Sequence, residues 1–155
     1  MNAYEYAMKI EKDGEEYYRE LAKLSPYTGL RNVFTILADE EVKHYNIFKE
    51  LLHHHKVDLT DLDINLKKET IFNELNEDKD KLNLDLKEIE FYKDAISVEE
   101  GLESFYLKKA NEVDSQTDRE IFIQISKEEA KHKILLENII TFIQENNNKV
   151  ASAEF

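Results

Sequence analysis

The pentapeptide EEVKH, which ends at His44, returns far along the chain as EEAKH, which ends at His132. Each copy places a glutamate three residues before its histidine, and these glutamates are Glu41 and Glu129. Residues three apart lie on one face of an α-helix, so each Glu–His pair can hold one metal ion. Oxygen and imidazole ligands suit iron or manganese, and the ligand types alone do not choose between these metals.

A second set of glutamate and tyrosine residues repeats at the same separation in sequence as the two pentapeptides. The shift that relates the two pentapeptides also relates Glu11 to Glu99 and Tyr18 to Tyr106, without a gap. Such self-similarity indicates a duplicated helical hairpin. The inventory of four glutamates and two histidines is the ligand set of di-iron and di-manganese carboxylate bundles. Buried together without cations, four carboxylates would be very costly.

Each tyrosine of the repeat follows a candidate ligand by nearly two helical turns. Tyr18 therefore shares a face with Glu11, and Tyr106 shares a face with Glu99. A phenol in this position can hydrogen-bond a ligand carboxylate or pass an electron or a proton. The alternative reading is an amphipathic core tyrosine, which the sequence does not separate from the first.

Other acidic and histidine residues are weaker candidates. Glu103 is a candidate additional ligand. Glu40 and Glu128 precede the ligand glutamates and can support a ligand histidine, but the favoured interpretation is surface charge. The run His53–His55 is interpreted as a helix end, because consecutive helical residues point in different directions and do not converge on one ion.

Four long helices are predicted to position these residues, from apolar residues at helical spacing and from capping motifs. The predicted ranges are about 3–24, 29–55, 86–113 and 118–145. Three capping boxes are predicted to begin helices one, three and four, at Asn2–Glu5, Asp85–Glu88 and Thr117–Glu120. The segment 56–85 is predicted to be a crossover with a short helix near 67–75, and the tail 146–155 is expected to fray.

The amino-acid composition limits the classes of protein to which the chain can belong. The 155 residues suffice for a single domain, and the absence of Cys excludes disulfides and cysteine-ligated zinc or iron centres in this chain. The net charge of −13 argues against nucleic acid as a partner. No apolar run suggests a signal peptide or membrane span, and a cytoplasmic location is expected.

The motif strings together resemble the rubrerythrin group of the ferritin-like superfamily, over about residues 3–145. The four strings are IEKDGEEYYRELA, LADEEVKH, AISVEEGLESFY and EEAKH. The resemblance implies an all-α, ferritin-like four-helix bundle, made of two duplicated helix hairpins joined by a long crossover. It also implies a non-haem di-iron centre that reduces hydrogen peroxide to water, and a homodimer. The implied terminal ligands are Glu11 and Glu99, the implied bridges are Glu41 and Glu129, and the implied histidine ligands are His44 and His132.

Two features depart from that group. Rubrerythrins proper carry a four-cysteine rubredoxin domain, whereas this chain has no Cys, so an external donor such as a rubredoxin or a flavoenzyme must supply electrons. They also carry a further glutamate where this chain has Leu102, and Gly14 at the matching position of the first helix adds no ligand.

Three other functions stay open at this stage. The first is iron binding or ferroxidase activity, with oxygen as an alternative oxidant to peroxide. The second is a di-manganese centre that disproportionates peroxide, and the third is a metal-free interaction bundle.

Overall fold

The computed structural model describes residues 1–153, which form a bundle of α-helices. A short 3-10 helix, Ile64–Lys67, precedes the third α-helix. The α-helices of this described range are α1 Ala3–Leu24, α2 Thr28–Leu52, α3 Lys68–Asp78, α4 Leu86–Ala110 and α5 Gln116–Ala153.

The four long helices pair as two hairpins. Helix α1 packs along α2, and α4 packs along α5. The capping box predicted at Asn2 and Glu5 is present in full, and the Asp85 side chain accepts a hydrogen bond from the Glu88 backbone at 2.8 Å. The predicted all-α bundle of two helical hairpins is therefore confirmed.

Three predicted helix limits are wrong. Helix α2 ends at Leu52, before the three histidines, and α4 ends at Ala110. Helix α5 begins at Gln116, one residue before Thr117, which was predicted to be its N-cap. The Ser115 hydroxyl accepts the Asp118 backbone N–H at 3.3 Å, so Ser115, not Thr117, satisfies the first turn.

The last helix also runs further than predicted. It continues past Glu145 to Ala153, because no proline or glycine interrupts it. The Asn146 side-chain amide donates to the backbone carbonyls of Lys79 and Leu82, at 2.6 and 3.2 Å, which ties this part of α5 to the crossover. The frayed tail predicted from residue 146 is therefore wrong through residue 153, and residues 154–155 lie outside the described range.

The crossover between the hairpins is folded rather than loose. The predicted short helix is α3, which follows the 3-10 helix directly. Ile64, Ile71, Leu75 and Leu82 are all buried, so the crossover packs on the bundle and contributes to its core.

Two apolar clusters form the core and leave a polar layer between them. One cluster contains Phe34 and Leu136, and the other contains Phe48 and Phe122. Along each long helix, the candidate ligands fall between the residues of these two clusters. The bundle therefore holds the repeated motifs at mid-height, with packed apolar side chains above and below. None of the helices in the described range is long and apolar enough to cross a membrane.

Candidate metal centre

The six predicted ligand residues meet in the middle of the bundle. Each of the four long helices contributes to them, α1 and α4 with one glutamate each, and α2 and α5 with one Glu-x-x-His pair each. All six side chains have 0 % exposure, which is unusual for ionisable residues. They are Glu11, Glu41, His44, Glu99, Glu129 and His132.

The six side chains fall into two overlapping groups, in each of which the ligand atoms lie within 4.8 Å of one another. His44 belongs with Glu11 in one group, and His132 belongs with Glu99 in the other. Glu41 and Glu129 belong to both groups. Two neighbouring positions are thereby defined, each with its own Glu and His and with two carboxylates in common.

Both histidines turn the same ring nitrogen toward the carboxylates. The Nδ1 atom of His44 lies 2.8 Å from Glu129 Oε1 and 3.4 Å from Glu11 Oε1. The Nδ1 atom of His132 lies 3.4 Å from Glu41 Oε1 and 3.6 Å from Glu99 Oε1. The two rings stack nearly parallel, with centroids 5.7 Å apart. Each histidine thus contacts a carboxylate of the opposite hairpin.

The two tyrosines of the repeat also reach across the bundle. The Tyr106 hydroxyl donates to Glu11 Oε1 at 2.6 Å, and the Tyr18 hydroxyl donates to Glu99 Oε1. The sequence left open whether each tyrosine contacts a ligand carboxylate or is a core residue, and it placed each tyrosine on the face of the glutamate in its own helix. The phenol instead bonds the glutamate of the other hairpin, because each ring spans the bundle interior rather than lying along its own helix.

The donor atoms of this polar layer remain unpaired. Within the described range, both oxygens of Glu41 and Glu129 and both ring nitrogens of His44 and His132 are buried without a hydrogen-bond partner. A buried polar group without a partner is costly, and a buried carboxylate more so. Two divalent cations satisfy these oxygen and nitrogen donors together, so the residues present fit such a pair.

In the metal-free protein, the pKa values of Glu11 and Glu129 are raised, which favours a proton on each carboxyl group. Burial, followed by the negative charge of Glu41, raises the pKa of Glu11 well above its ordinary value. Burial and the charges of Glu41 and Glu99 likewise raise the pKa of Glu129. Metal ions that bind here must displace these protons.

Glu41 and the two histidines also have shifted pKa values. Burial opposes the ionised form of Glu41, but polar contacts with Glu11 and His132 and the charges of both histidines outweigh it and lower the pKa of Glu41 to about 2. Burial lowers the pKa of His44 to about 3. Burial also acts on His132, but its close contacts with the carboxylates of Glu41 and Glu99, and their negative charges, outweigh it and raise its pKa to about 10. His132 is therefore the protonated histidine of the pair.

Gly14 lets α1 approach the shared carboxylate Glu41. A Cβ atom at residue 14 would lie 3.0 Å from Glu41 Oε2, closer than ordinary van der Waals contact. The sequence identified Gly14 only as a position without a ligand. Its small size is what leaves room for Glu41.

Glu40 and Glu128 are not surface charges, and the preferred interpretation of them was wrong. Both side chains are 1 % exposed. Glu40 pairs with Lys43 at 3.2 Å, and Glu128 pairs with Lys131 at 3.0 Å. Lys67 of the crossover also reaches Glu40, at 3.4 Å. Both ion pairs could have been predicted from the repeated pentapeptides, because each carries a lysine three residues after its first glutamate.

Glu40 also lies close to both histidine rings. Ligand atoms of Glu40, His44 and His132 lie within 4.8 Å of one another, so this acid sits directly behind the polar layer. Glu103 is different, since it is half-buried and belongs to neither group of ligand atoms within the described range. Its backbone carbonyl accepts the Ser126 hydroxyl at 2.9 Å.

The fold and this polar layer define a class, the four-helix bundles that carry paired Glu and Glu-x-x-His motifs. The rubrerythrin family model matches residues 2–140, so the chain belongs to the rubrerythrin family. Among curated proteins, and among solved structures, no significant match was found.

Proposed function

We propose that this chain binds two iron ions in its central polar layer and reduces hydrogen peroxide to water, with electrons from an external donor. The observation that carries the proposal is the pair of overlapping ligand groups that share Glu41 and Glu129. One group of four ligand atoms suits one ion, and two groups with common carboxylates suit two adjacent ions. Membership of the rubrerythrin family supports iron as the metal.

The residues have distinct roles in this proposal. Glu41 and Glu129 would hold both ions, Glu11 and His44 would hold the first, and Glu99 and His132 would hold the second. When bound, two ferrous ions would supply the two electrons that hydrogen peroxide needs, together with two protons, to give two water molecules. An external donor then returns two electrons, since the chain has no Cys to build a rubredoxin-type centre of its own.

The protein contributes orientation and a dry environment. Tyr106 and Tyr18 fix the carboxylates of Glu11 and Glu99 by hydrogen bonds from the opposite hairpin. Burial, followed by the charge of the contacted glutamate, raises the pKa of both phenols well above the ordinary value, so both keep their protons at neutral pH. The packed clusters on either side of the polar layer exclude bulk water and confine the oxidant to the site.

Stopped-flow absorbance tests the proposal. The anaerobic chain, loaded with Fe(II), is mixed with hydrogen peroxide or with oxygen. Near-ultraviolet absorbance that saturates at two irons per chain and grows faster with peroxide supports it. Retention of no iron, or no reaction with peroxide, would contradict it. The Glu41→Gln variant serves as the matched control, because it removes a ligand to both ions without changing side-chain volume.

A second candidate function is iron oxidation for storage or delivery. It is favoured by Leu102, which replaces the additional glutamate that the resemblance predicts and packs against the apolar cluster around Phe48. The net charge of −13 would raise the local concentration of ferrous ions. Under this alternative, oxygen alone drives repeated oxidation of added Fe(II), and iron accumulates beyond two per chain.

A further inference from the structure

Three consecutive histidines follow the last turn of α2, and the backbone there adopts a defined C-terminal cap. His54 has φ of 61°, the left-handed conformation, which no other non-glycine residue of the described range adopts. The His54 N–H donates to Leu51 O at 3.1 Å, and the His55 N–H donates to Glu50 O at 2.9 Å. These two bonds are those of a Schellman motif, with His54 at the position where glycine is most common.

The three histidines form a helix end, as predicted, but the cap changes the directions of their side chains from those in a continuing helix. In a continuing helix, consecutive residues point in different directions. The left-handed residue reverses the chain direction between His53 and His55. Their rings consequently lie side by side, with centroids 6.1 Å apart and planes inclined by 33°. Two imidazoles that share one ion have ring centres about 5 to 6 Å apart, given metal–nitrogen bonds of about 2 Å.

Hydrogen bonds fix which nitrogen of each ring is free. The Nδ1 atom of His53 lies 2.8 Å from Lys49 O, and the Nδ1 atom of His55 lies 2.7 Å from Glu50 Oε2. Both partners are acceptors, so each Nδ1 carries the hydrogen and the lone pair of each neutral ring is on Nε2. An imidazole whose other nitrogen donates to a carbonyl or a carboxylate is the usual state of a metal-ligating histidine.

We propose that His53 and His55 form a surface site for one divalent transition-metal ion, bound through the two Nε2 atoms and completed by water. Both side chains are exposed, so an ion reaches them without any opening of the bundle. Imidazole ligands favour Zn²⁺, Ni²⁺ and Cu²⁺ over the harder cations. At 1.5 Å per residue, His53 lies about 14 Å from His44 along α2. The site is therefore separate from the buried centre and does not depend on its function.

A titration of the full chain with Zn²⁺, followed through imidazole resonances in nuclear magnetic resonance spectra, tests the site. Zinc is diamagnetic, so an ion in the buried centre causes no paramagnetic shift or broadening of these resonances. The Nε2 and ring-proton signals of His53 and His55 are expected to shift together along one saturable curve, while those of His54 stay in place. Shifts of equal size in all three histidines would overturn the proposal, since they indicate a non-specific histidine tract.

Single substitutions give the matched comparison. His53→Ala and His55→Ala are each expected to weaken Zn²⁺ binding at this site at least tenfold, and Glu50→Ala to weaken it about ten- to 100-fold by releasing the His55 ring. His54→Gly is the control, because glycine suits the left-handed position and keeps the cap. Binding that survives His53→Ala and His55→Ala, or that falls as much with His54→Gly, would refute the site. Circular dichroism verifies that each variant is folded.

Discussion

The hydroxyl of Tyr106 in α4 donates a 2.6 Å hydrogen bond to the carboxylate of Glu11 in α1, across the interface between the two hairpins. Tyr18 and Glu99 make the reciprocal contact. Each hairpin therefore orients the lone glutamate of the other. The positions of these two glutamates depend on the packing of the whole bundle rather than on one helix.

The Tyr106→Phe substitution tests this contact. It leaves Glu11 Oε1 buried without its partner, which costs about 1 to 3 kcal/mol of unfolding free energy in the metal-free protein. Loss of a hydrogen bond that orients a ligand is expected to lower iron affinity about ten- to 100-fold. Urea denaturation and anaerobic Fe(II) titration measure the two effects.

Tyr92→Phe is the matched control for that substitution. Tyr92 is a buried tyrosine that stacks on Phe34 and lies outside the polar layer. Its replacement should leave iron affinity unchanged. An equal loss of affinity in both variants would show that the effect of Tyr106 is a general loss of packing.

The Glu129→Gln substitution separates stability from metal binding. It removes a buried acid whose pKa burial raises, so the metal-free protein should become more stable to urea at neutral pH. It also removes a ligand of both proposed ions, so iron affinity should fall by more than about 100-fold. This loss exceeds the one expected when a residue that only supports a ligand is replaced. Glu137→Gln, an exposed position on the same helix, is expected to change neither quantity. A Glu129 variant that binds two irons normally would refute the ligand assignment.

The stability of the metal-free protein should fall as pH rises from about 7.5 to about 10. The pKa of His132 is about 10 in the folded chain against an ordinary 6.5, and the pKa values of Glu11 and Glu129 are also raised. Stability from a raised pKa is complete below the unfolded value and is lost as pH rises through the folded value. His44 and Glu41 have lowered pKa values, and His44 loses its last protons in the unfolded chain by about pH 7.5, so neither contributes above that pH.

Urea denaturation at a series of pH values, with and without anaerobic Fe(II), measures this dependence. Bound cations replace the protons, so the iron-loaded protein should show a weaker dependence over the same window. A metal-free protein whose stability rises across that window would show that these buried groups do not carry the protons assigned to them.

Gly14→Ala should weaken iron binding, and any gain in stability should be smaller than at a glycine with open space around it. Alanine in a helix interior is favoured over glycine by about 0.5 to 1 kcal/mol. Its Cβ, however, would lie 3.0 Å from Glu41 Oε2 and displace that carboxylate. Gly101→Ala is the control, since a Cβ there meets nothing within 4 Å and should stabilise α4 without affecting iron. Unchanged iron affinity in the Gly14 variant would mean that Glu41 has room to move.

The sequence predicted the fold and the members of the polar layer because both depend on periodicity. Glu41 and His44 share a helix face by spacing alone, and the repeat predicted the partner pair. Contacts between the two hairpins could not be predicted from periodicity, because residue spacing describes only one helix at a time. The partner of Tyr106 on the other hairpin was therefore not predicted, and Glu40 was taken for surface charge although Lys67 of the folded crossover pairs with it.

The ends of the helices were also predicted less accurately than their existence. The end of α2 depends on one left-handed residue, His54, whose conformation no periodicity indicates. The start of α5 depends on a choice between two hydroxyl caps, Ser115 and Thr117, with an acidic residue three positions after each. Local hydrogen bonds decide such choices by small differences in free energy.

The crossed tyrosine–glutamate contacts also bear on the origin of the chain. An isolated hairpin has a glutamate, a Glu-x-x-His pair and a tyrosine, but its tyrosine is directed at a carboxylate that it does not itself provide. Two identical hairpins related by a twofold axis would complete each other in the way that the two halves do here. The present chain therefore has the architecture of a symmetric dimer of hairpins joined end to end. The two halves are not identical, and the paired positions Gly14 and Leu102 are one place where they differ.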